Sequence, residues 1–163
     1  MAEGGRFVYH PMNFQLRQIS NIVTEILKSL ALKKNIQLVN EIDENLKVHA
    51  DMNMITSVMQ NLVSNALKFT TTDGTGKVFI QAMHKGTYVE LYVKDNGLGM
   101  TAEQMQDLFQ PRITLSSKGT AGEKGAGLGL SLCKRFVEMN LGEINVTSKE
   151  GEGTIFTVLL PVA

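Results

Sequence analysis

Two long stretches carry apolar residues at helical spacing. From Arg17 to Lys34, Ile19, Ile22, Val23, Ile26, Leu27 and Leu30 recur every three or four residues, predicting an amphipathic helix that Asn35 stops. A second helix runs from Asp51, a good N-cap residue, to Phe69, with Ile55, Val58, Met59, Leu62, Ala66 and Leu67 as its apolar stripe. Thr101 to Leu108 makes a short helix capped by Thr101, with Glu103 and Gln104 in its first turn. The fourth, Leu128 to Leu141, puts Leu128, Leu132, Phe136 and Met139 on one side. Strands fill the gaps at Ile36 to Ile42, Gly76 to Lys85, Thr87 to Lys94, Glu143 to Ser148 and Thr154 to Leu160. Val89, Leu91 and Val93 alternate as in a half-buried strand, while Gly86 and the stretch from Lys149 to Gly153 read as hairpin connections. The expected fold is therefore α/β, of the α+β kind: a two-layer sandwich with about three main helices on one face of a mixed, mostly antiparallel sheet.

Between Leu108 and Gly125 the sequence QPRITLSSKGTAGEKG has neither period. Structureless loops above about 12 to 15 residues in a compact domain are usually functional, so a mobile lid over about 108–125 is expected. At 163 residues the chain is the size of one domain. Its 16 basic and 16 acidic residues cancel, which removes the basic field that nucleic-acid binding needs. One cysteine, Cys133, excludes an internal disulfide framework and a Cys-based zinc site and suits a reducing, cytoplasmic setting. No apolar run approaches the roughly 20 residues of a spanning helix, so no membrane contact is expected.

Three features break the structural pattern. Asn61, Asn65 and Lys68 lie four and three residues apart in the second helix, hence on one face beside the apolar stripe. Asn is a poor mid-helix residue; the face is either simply solvated or a row of amide oxygens and an ammonium turned toward a hard cation and phosphates. Continuing the alternation past Val93 carries Asp95 to the inward face, where a carboxylate is costly unless satisfied. Either Asp95 bonds local amides in an Asp-Asn-Gly turn, or it accepts from a buried ligand donor while the following glycines let backbone come close. Third, Gly125, Ala126, Gly127, Leu128 and Gly129 open into a helix, an arrangement that presents free N–H groups to phosphate. It fits neither the P-loop nor the Rossmann fingerprint.

In chain order these stretches read NLVSNALKFT (61–70), DNGLGM (95–100), LFQP (108–111) and GAGLGL (125–130). Together they resemble the N box, first glycine box, F box and second glycine box of the ATP-binding catalytic domain of sensor histidine kinases. That family is a branch of the GHKL superfamily with the Bergerat fold, alongside Hsp90, DNA gyrase B and MutL. GEINVTSKEGEGTIFTVLLP is similar to the family's closing hairpin, so the resemblance covers essentially the whole chain.

The resemblance implies roles. Asp95 would accept from the exocyclic amine of adenine, Asn65 would hold Mg²⁺ on the phosphates with Asn61 as a second ligand or an aid to transfer, and Lys68 would face a phosphate. Phe69 would lie against the adenine. Gly97, Gly99 and Met100 would shape the base pocket, and Gly125, Gly127, Leu128 and Gly129 would support the lid and phosphates. Phe109 would pack the start of the lid, and Arg112 or Lys118 would reach the γ-phosphate on closure. Departures are Pro111, Arg112 and Ile113 where many relatives have a second aromatic, Ala126 where Thr or Ser is common, and Asn140-Leu141-Gly142 in place of a paired glycine.

The implied activity is histidine kinase: Mg-ATP binding and transfer of the γ-phosphate to a histidine on a dimerisation domain, with a response regulator receiver domain downstream. His10, His49 and His84 have no resemblance to the acceptor context, and GRFVYHPMNFQL resembles the junction after the acceptor hairpin. Residues 1–16 are thus expected to be that junction, and 17–163 the catalytic domain, monomeric by itself. Other branches stay as alternatives: a conformational ATPase, whose members carry Glu where Asn61 stands; an anti-sigma serine kinase; or a degenerate nucleotide- or partner-binding module.

Overall fold

The computed structural model describes residues 8–109 and 129–163. Along the chain the elements are β1 (Pro11–Gln15), α1 (Leu16–Lys33), β2 (Gln37–Asn40), β3 (Lys47–Asp51), α2 (Met52–Phe69), β4 (Lys77–Lys85), β5 (Tyr88–Asp95), α3 (Ala102–Asp107), α4 (Gly129–Met139), β6 (Glu143–Lys149) and β7 (Gly153–Pro161). The main sheet has five strands in the order β2-β4-β5-β7-β6. Only the β2–β4 pairing is parallel, so the sheet is mixed and mostly antiparallel, as the hairpin signals predict.

Two strands escape the sequence pattern: β1 and β3 pair antiparallel in a separate two-stranded sheet. PMNFQ has no alternation and that of KVHA runs for only four residues; what holds the two strands is burial of Phe14, Val48 and Ala50 beneath the helices.

Helix α2 packs between α1 and α4 and over β4 and β5. Its central place explains why Met54 and Val63 are buried along with the whole predicted stripe. Asp51 caps it as expected, its carboxylate accepting from the Met54 amide at 3.0 Å. Helix α1 differs from expectation: Ile19, Val23, Leu27 and Ala31 are buried, but Ile22 and Ile26 are 45% and 53% exposed. At the border of the helical layer only one narrow line of an amphipathic face finds a neighbour, so the sequence pattern overstates the buried width. Asn35 ends α1 with φ of 59°, and the Asn35 and Ile36 amides turn back to the carbonyls of Leu32 and Ala31 in a Schellman arrangement. Thr101 and Gln104 cap α3 reciprocally as a capping box. In α4 the buried residues are Cys133, Phe136 and Val137, while Leu132 and Met139 are half-buried at the margin. Among the described residues no helix is long and apolar enough to cross a membrane.

Candidate nucleotide site

Strand β5 runs through the middle of the sheet with Val89, Leu91, Val93 and Asp95 all buried on its inner face. The period of two therefore places a carboxylate in the core layer, at the strand end, opposite Val78 and Thr154 of its neighbours. Asp95 is 7% exposed, and burial pushes its carboxyl up to about 6, partly offset by the Gly97 and Thr154 backbone amides. The Gly97 amide donates to Asp95 Oδ1 at 2.8 Å. The local Asx turn read from the sequence is present, and the carboxylate that it engages is withdrawn from water.

The loop after Asp95 is pinned on three sides. Leu98 N–H donates to the Phe69 carbonyl at 3.1 Å, which ties the loop to the end of α2. The Gly151 amide donates to the Leu98 carbonyl at 2.8 Å, and Met100 N–H donates to Ser148 Oγ at 2.8 Å, which tie it to the β6–β7 turn. Asn96 faces the third side, accepting from the Lys77 amide at 2.8 Å and donating to the Thr75 carbonyl at 2.9 Å. The need for glycine is explained by these contacts. A Cβ at Gly97 would strike the Phe69 carbonyl, and one at Gly99, whose φ is +71°, would strike the Lys149 carbonyl. The close approach is thus to the protein's own backbone, and it brings two walls together around Asp95.

The Asn61, Asn65 and Lys68 face of α2 forms the adjoining wall. Asn61 and Asn65 are half-buried. Asn61 Nδ2 donates to the Ser57 carbonyl one turn earlier at 3.0 Å, which turns its oxygen away from the helix backbone. Lys68 is 9% exposed and its ammonium sits 4.9 Å from the Phe69 ring centroid, over the aromatic face. From Phe69 back to Asn61 the helix rises about 12 Å, so the wall spans from an aromatic and carboxylate end to an amide-oxygen end. No group of three His, Cys, Asp or Glu that could cage a metal occurs among the described residues, so a cation on this wall would draw most of its ligands from elsewhere.

Phe109 packs edge-on against Phe156 of β7, with centroids 6.4 Å apart and planes at 83°. Gly129 is the first residue of α4. Arg112, Lys118, Gly125, Gly127 and Leu128, with most of the expected lid, lie outside the described residues. The fold brings the Lys68–Phe69 end of α2 against the loop that carries Gly97, Gly99 and Met100 after Asp95, with Asn65 and Asn61 one and two turns back along the helix, and anchors Phe109 on the inner face of the sheet. Sequence reasoning assigned nothing to Asn96 and Ser148, which hold the loop. Asn96 lies within DNGLGM (95–100), whereas Ser148 becomes relevant only through strand register.

Residues 50–163 match the family model of histidine kinase-, DNA gyrase B- and HSP90-like ATPases. Among solved structures, the nucleotide-free catalytic domain of histidine kinase ThkA is 29% identical, with a TM-score of 0.81 over 93% of this chain and 95% of that one. A structure of ThkA in complex with the response regulator protein TrrA matches with 26% identity and a TM-score of 0.77, over 98% of this chain and 44% of that one. The adaptive-response sensory kinase SasA of Parasynechococcus marenigrum is 34% identical over 157 residues, which are 95% of this chain and 40% of SasA. The chain spans between 17% and 42% of the length of such curated relatives. The chain belongs to the histidine kinase-, DNA gyrase B- and HSP90-like ATPase family, and its relatives place it with the ATP-binding catalytic domains of sensor histidine kinases.

Proposed function

We propose that this chain binds Mg-ATP between α2 and the loop after β5 and presents the γ-phosphoryl group to a histidine imidazole on a separate dimerisation domain. The observation that carries this is Asp95: a buried carboxylate, its carboxyl pushed up to about 6 by burial, at the end of a central strand beside Phe69. A hydrogen-bond donor from adenine, its exocyclic amine, stabilises the charged carboxylate that burial disfavours. Guanine offers a carbonyl at that position and sets acceptor against acceptor, so the site selects adenine.

Asn61 and Asn65 offer neutral oxygens suited to a hard cation that keeps phosphates and waters as its other ligands. Mg²⁺, when bound, neutralises phosphate charge as the phosphoryl group departs. Lys68 adds a positive charge on the same wall, and Phe69 an aromatic face for the base. Asn61 has no basic group with which to take a proton from water, which suits a site whose work is positioning the phosphoryl group for a nucleophile on another domain.

On this reading residues 17–163 are the catalytic domain, the 1–16 junction adds β1 and Phe14 to its packing, and 108–125 form the lid from which Arg112 or Lys118 reaches the γ-phosphate. The partners are the dimerisation domain and, downstream, a receiver domain, in the cytoplasm; the domain alone is monomeric and binds no nucleic acid. The test has two stages. ATP is titrated calorimetrically into the purified domain with and without Mg²⁺, with GTP alongside; then a histidine-bearing hairpin domain is supplied and acid-labile phosphate followed. Binding that prefers ATP, with phosphate appearing on the hairpin, is expected. A folded domain that ignores ATP refutes the proposal, and binding without transfer to any supplied hairpin points to a degenerate module.

A further inference from the structure

Helix α2 ends at Phe69, where the last four carbonyls have no partner within the helix. They are met from outside its ladder. Thr70 Oγ1 donates to Ala66 O at 2.7 Å, Lys34 Nζ donates to Leu67 O at 2.6 Å and Lys68 O at 3.1 Å, and Leu98 N–H donates to Phe69 O at 3.1 Å. The two middle acceptors thus share one ammonium brought from the C-cap of α1, and Lys34 is 5% exposed. Charge-assisted bonds to the negative end of a helix are stronger than neutral ones, and here they are withdrawn from water.

Where this clamp sits gives it a consequence. The turn it grips carries Lys68 and Phe69, and the next carbonyl holds the loop that follows Asp95. Gly97 packs on the same Phe69 carbonyl with no room for a Cβ. The relation between Asp95, on the sheet, and Lys68 and Phe69, on the helix, therefore depends on how the end of α2 is held.

We infer that Lys34 is a positioning residue for the nucleotide site: from α1, outside every sequence motif of the site, it fixes the last turn of α2 against the loop after Asp95. This rests on the nucleotide reading above. The Lys34→Met variant keeps the aliphatic stem and removes the donors. Lys34→Arg restores a cation, and Val23→Ala, buried in the same helix, serves as a control that loosens packing without touching the clamp.

Two quantities are read on each folded protein: hydrogen exchange of the Leu98 amide without nucleotide, and ATP affinity by calorimetry. In Lys34→Met, Leu98 exchange is expected to accelerate and ATP affinity to fall by about fivefold or more, with Lys34→Arg recovering much of both and Val23→Ala keeping wild-type affinity. Should the Met variant not fold, Lys34→Gln, with a shorter neutral donor, is read in the same way. Unchanged Leu98 exchange, or ATP affinity within twofold of wild type, overturns the role of Lys34. An equal loss in Val23→Ala also overturns it, by showing that any loosening of α1 suffices. Failure of the underlying reading is distinct: the wild-type domain would then bind no ATP, whatever the exchange at Leu98.

Discussion

Asp95 combines a structural cost with a binding use, and the two have opposite pH dependences. An acid whose carboxyl is raised from 3.8 to about 6 keeps, in the folded state, a proton that the unfolded chain has released between those values. The nucleotide-free domain therefore loses stability as pH rises from about 4 to 6, by about 3 kcal/mol in total, and the deficit is constant above that. Nucleotide binding runs the other way, because adenine's amine needs the ionised acceptor: affinity is expected to rise through pH 6, with proton release at that pH measurable by calorimetry in buffers of different ionisation enthalpy. Asp95→Asn separates the two effects. Its amide oxygen can still accept from Gly97, while its amino group cannot accept from Thr154; relief of the buried charge outweighs that one lost acceptor, so the variant should melt no lower than wild type at pH 7.5, while ATP affinity falls at least about tenfold. A variant that melts lower and still binds ATP would contradict both halves of the argument.

At the scale of elements, what matters is how helices end. Helix α1 stops at Asn35, a residue that tolerates the left-handed conformation, and α4 stops in the same Schellman pattern with Leu141 in that place at φ 60°. The Gly142 amide donates to Val137 O at 2.9 Å, and Leu141 N–H donates to Glu138 O at 3.1 Å. Leucine is strained there and, at 74% exposed, gains little from burial. Leu141→Gly is expected to stabilise the domain by about 1 kcal/mol, seen as a rise of roughly 2 to 4 °C in the thermal midpoint, without altering ATP affinity. Asn140 before it is 1% exposed and accepts from the Asp51 amide at 2.7 Å, so the end of α4 is also fastened to the start of α2. The tripeptide that departs from a paired glycine thus has a structural task at its first position and a strained residue at its second.

For the whole molecule, the site is a seam between layers. The sheet supplies Asp95, the helical layer supplies the asparagines, Lys68 and Phe69, and ligand bound across both should raise the stability of the cooperative unit. With ATP at 100 times its dissociation constant the gain is about 2.7 kcal/mol, or several degrees by scanning calorimetry. The expected pattern is a shift with Mg²⁺ and ATP that shrinks when Mg²⁺ is chelated and falls to about half or less in Asp95→Asn. An equal shift with GTP would remove Asp95 from base selection. Burial pushes the lone thiol of Cys133 up to about 12, so a thiol reagent should leave the native domain unmodified and does not confound these measurements.

The sequence by itself determined the elements whose signal is local. The two long helices of the N-terminal half, the capping of α2 by Asp51 and α3 by Thr101, and the inward turn of Asp95 are written in periods of 3.6 and 2 and in capping chemistry, which neighbours in the chain suffice to express. The four ordered motifs supplied the family. Tertiary structure decided what depends on partners distant in the chain. Only position in the helical layer exposes Ile22 and Ile26 while burying Met54 and Val63, since a stripe fixes a direction and not how much surface awaits it. Short strands such as β1 and β3 exist because they pair with each other across some thirty residues of chain, a contact without local signature. The clamp of Lys34 on α2 is of the same kind. A lysine at the end of an amphipathic helix reads as solvated, and only the packing of α1 against α2 takes it out of water and gives it two carbonyls to hold.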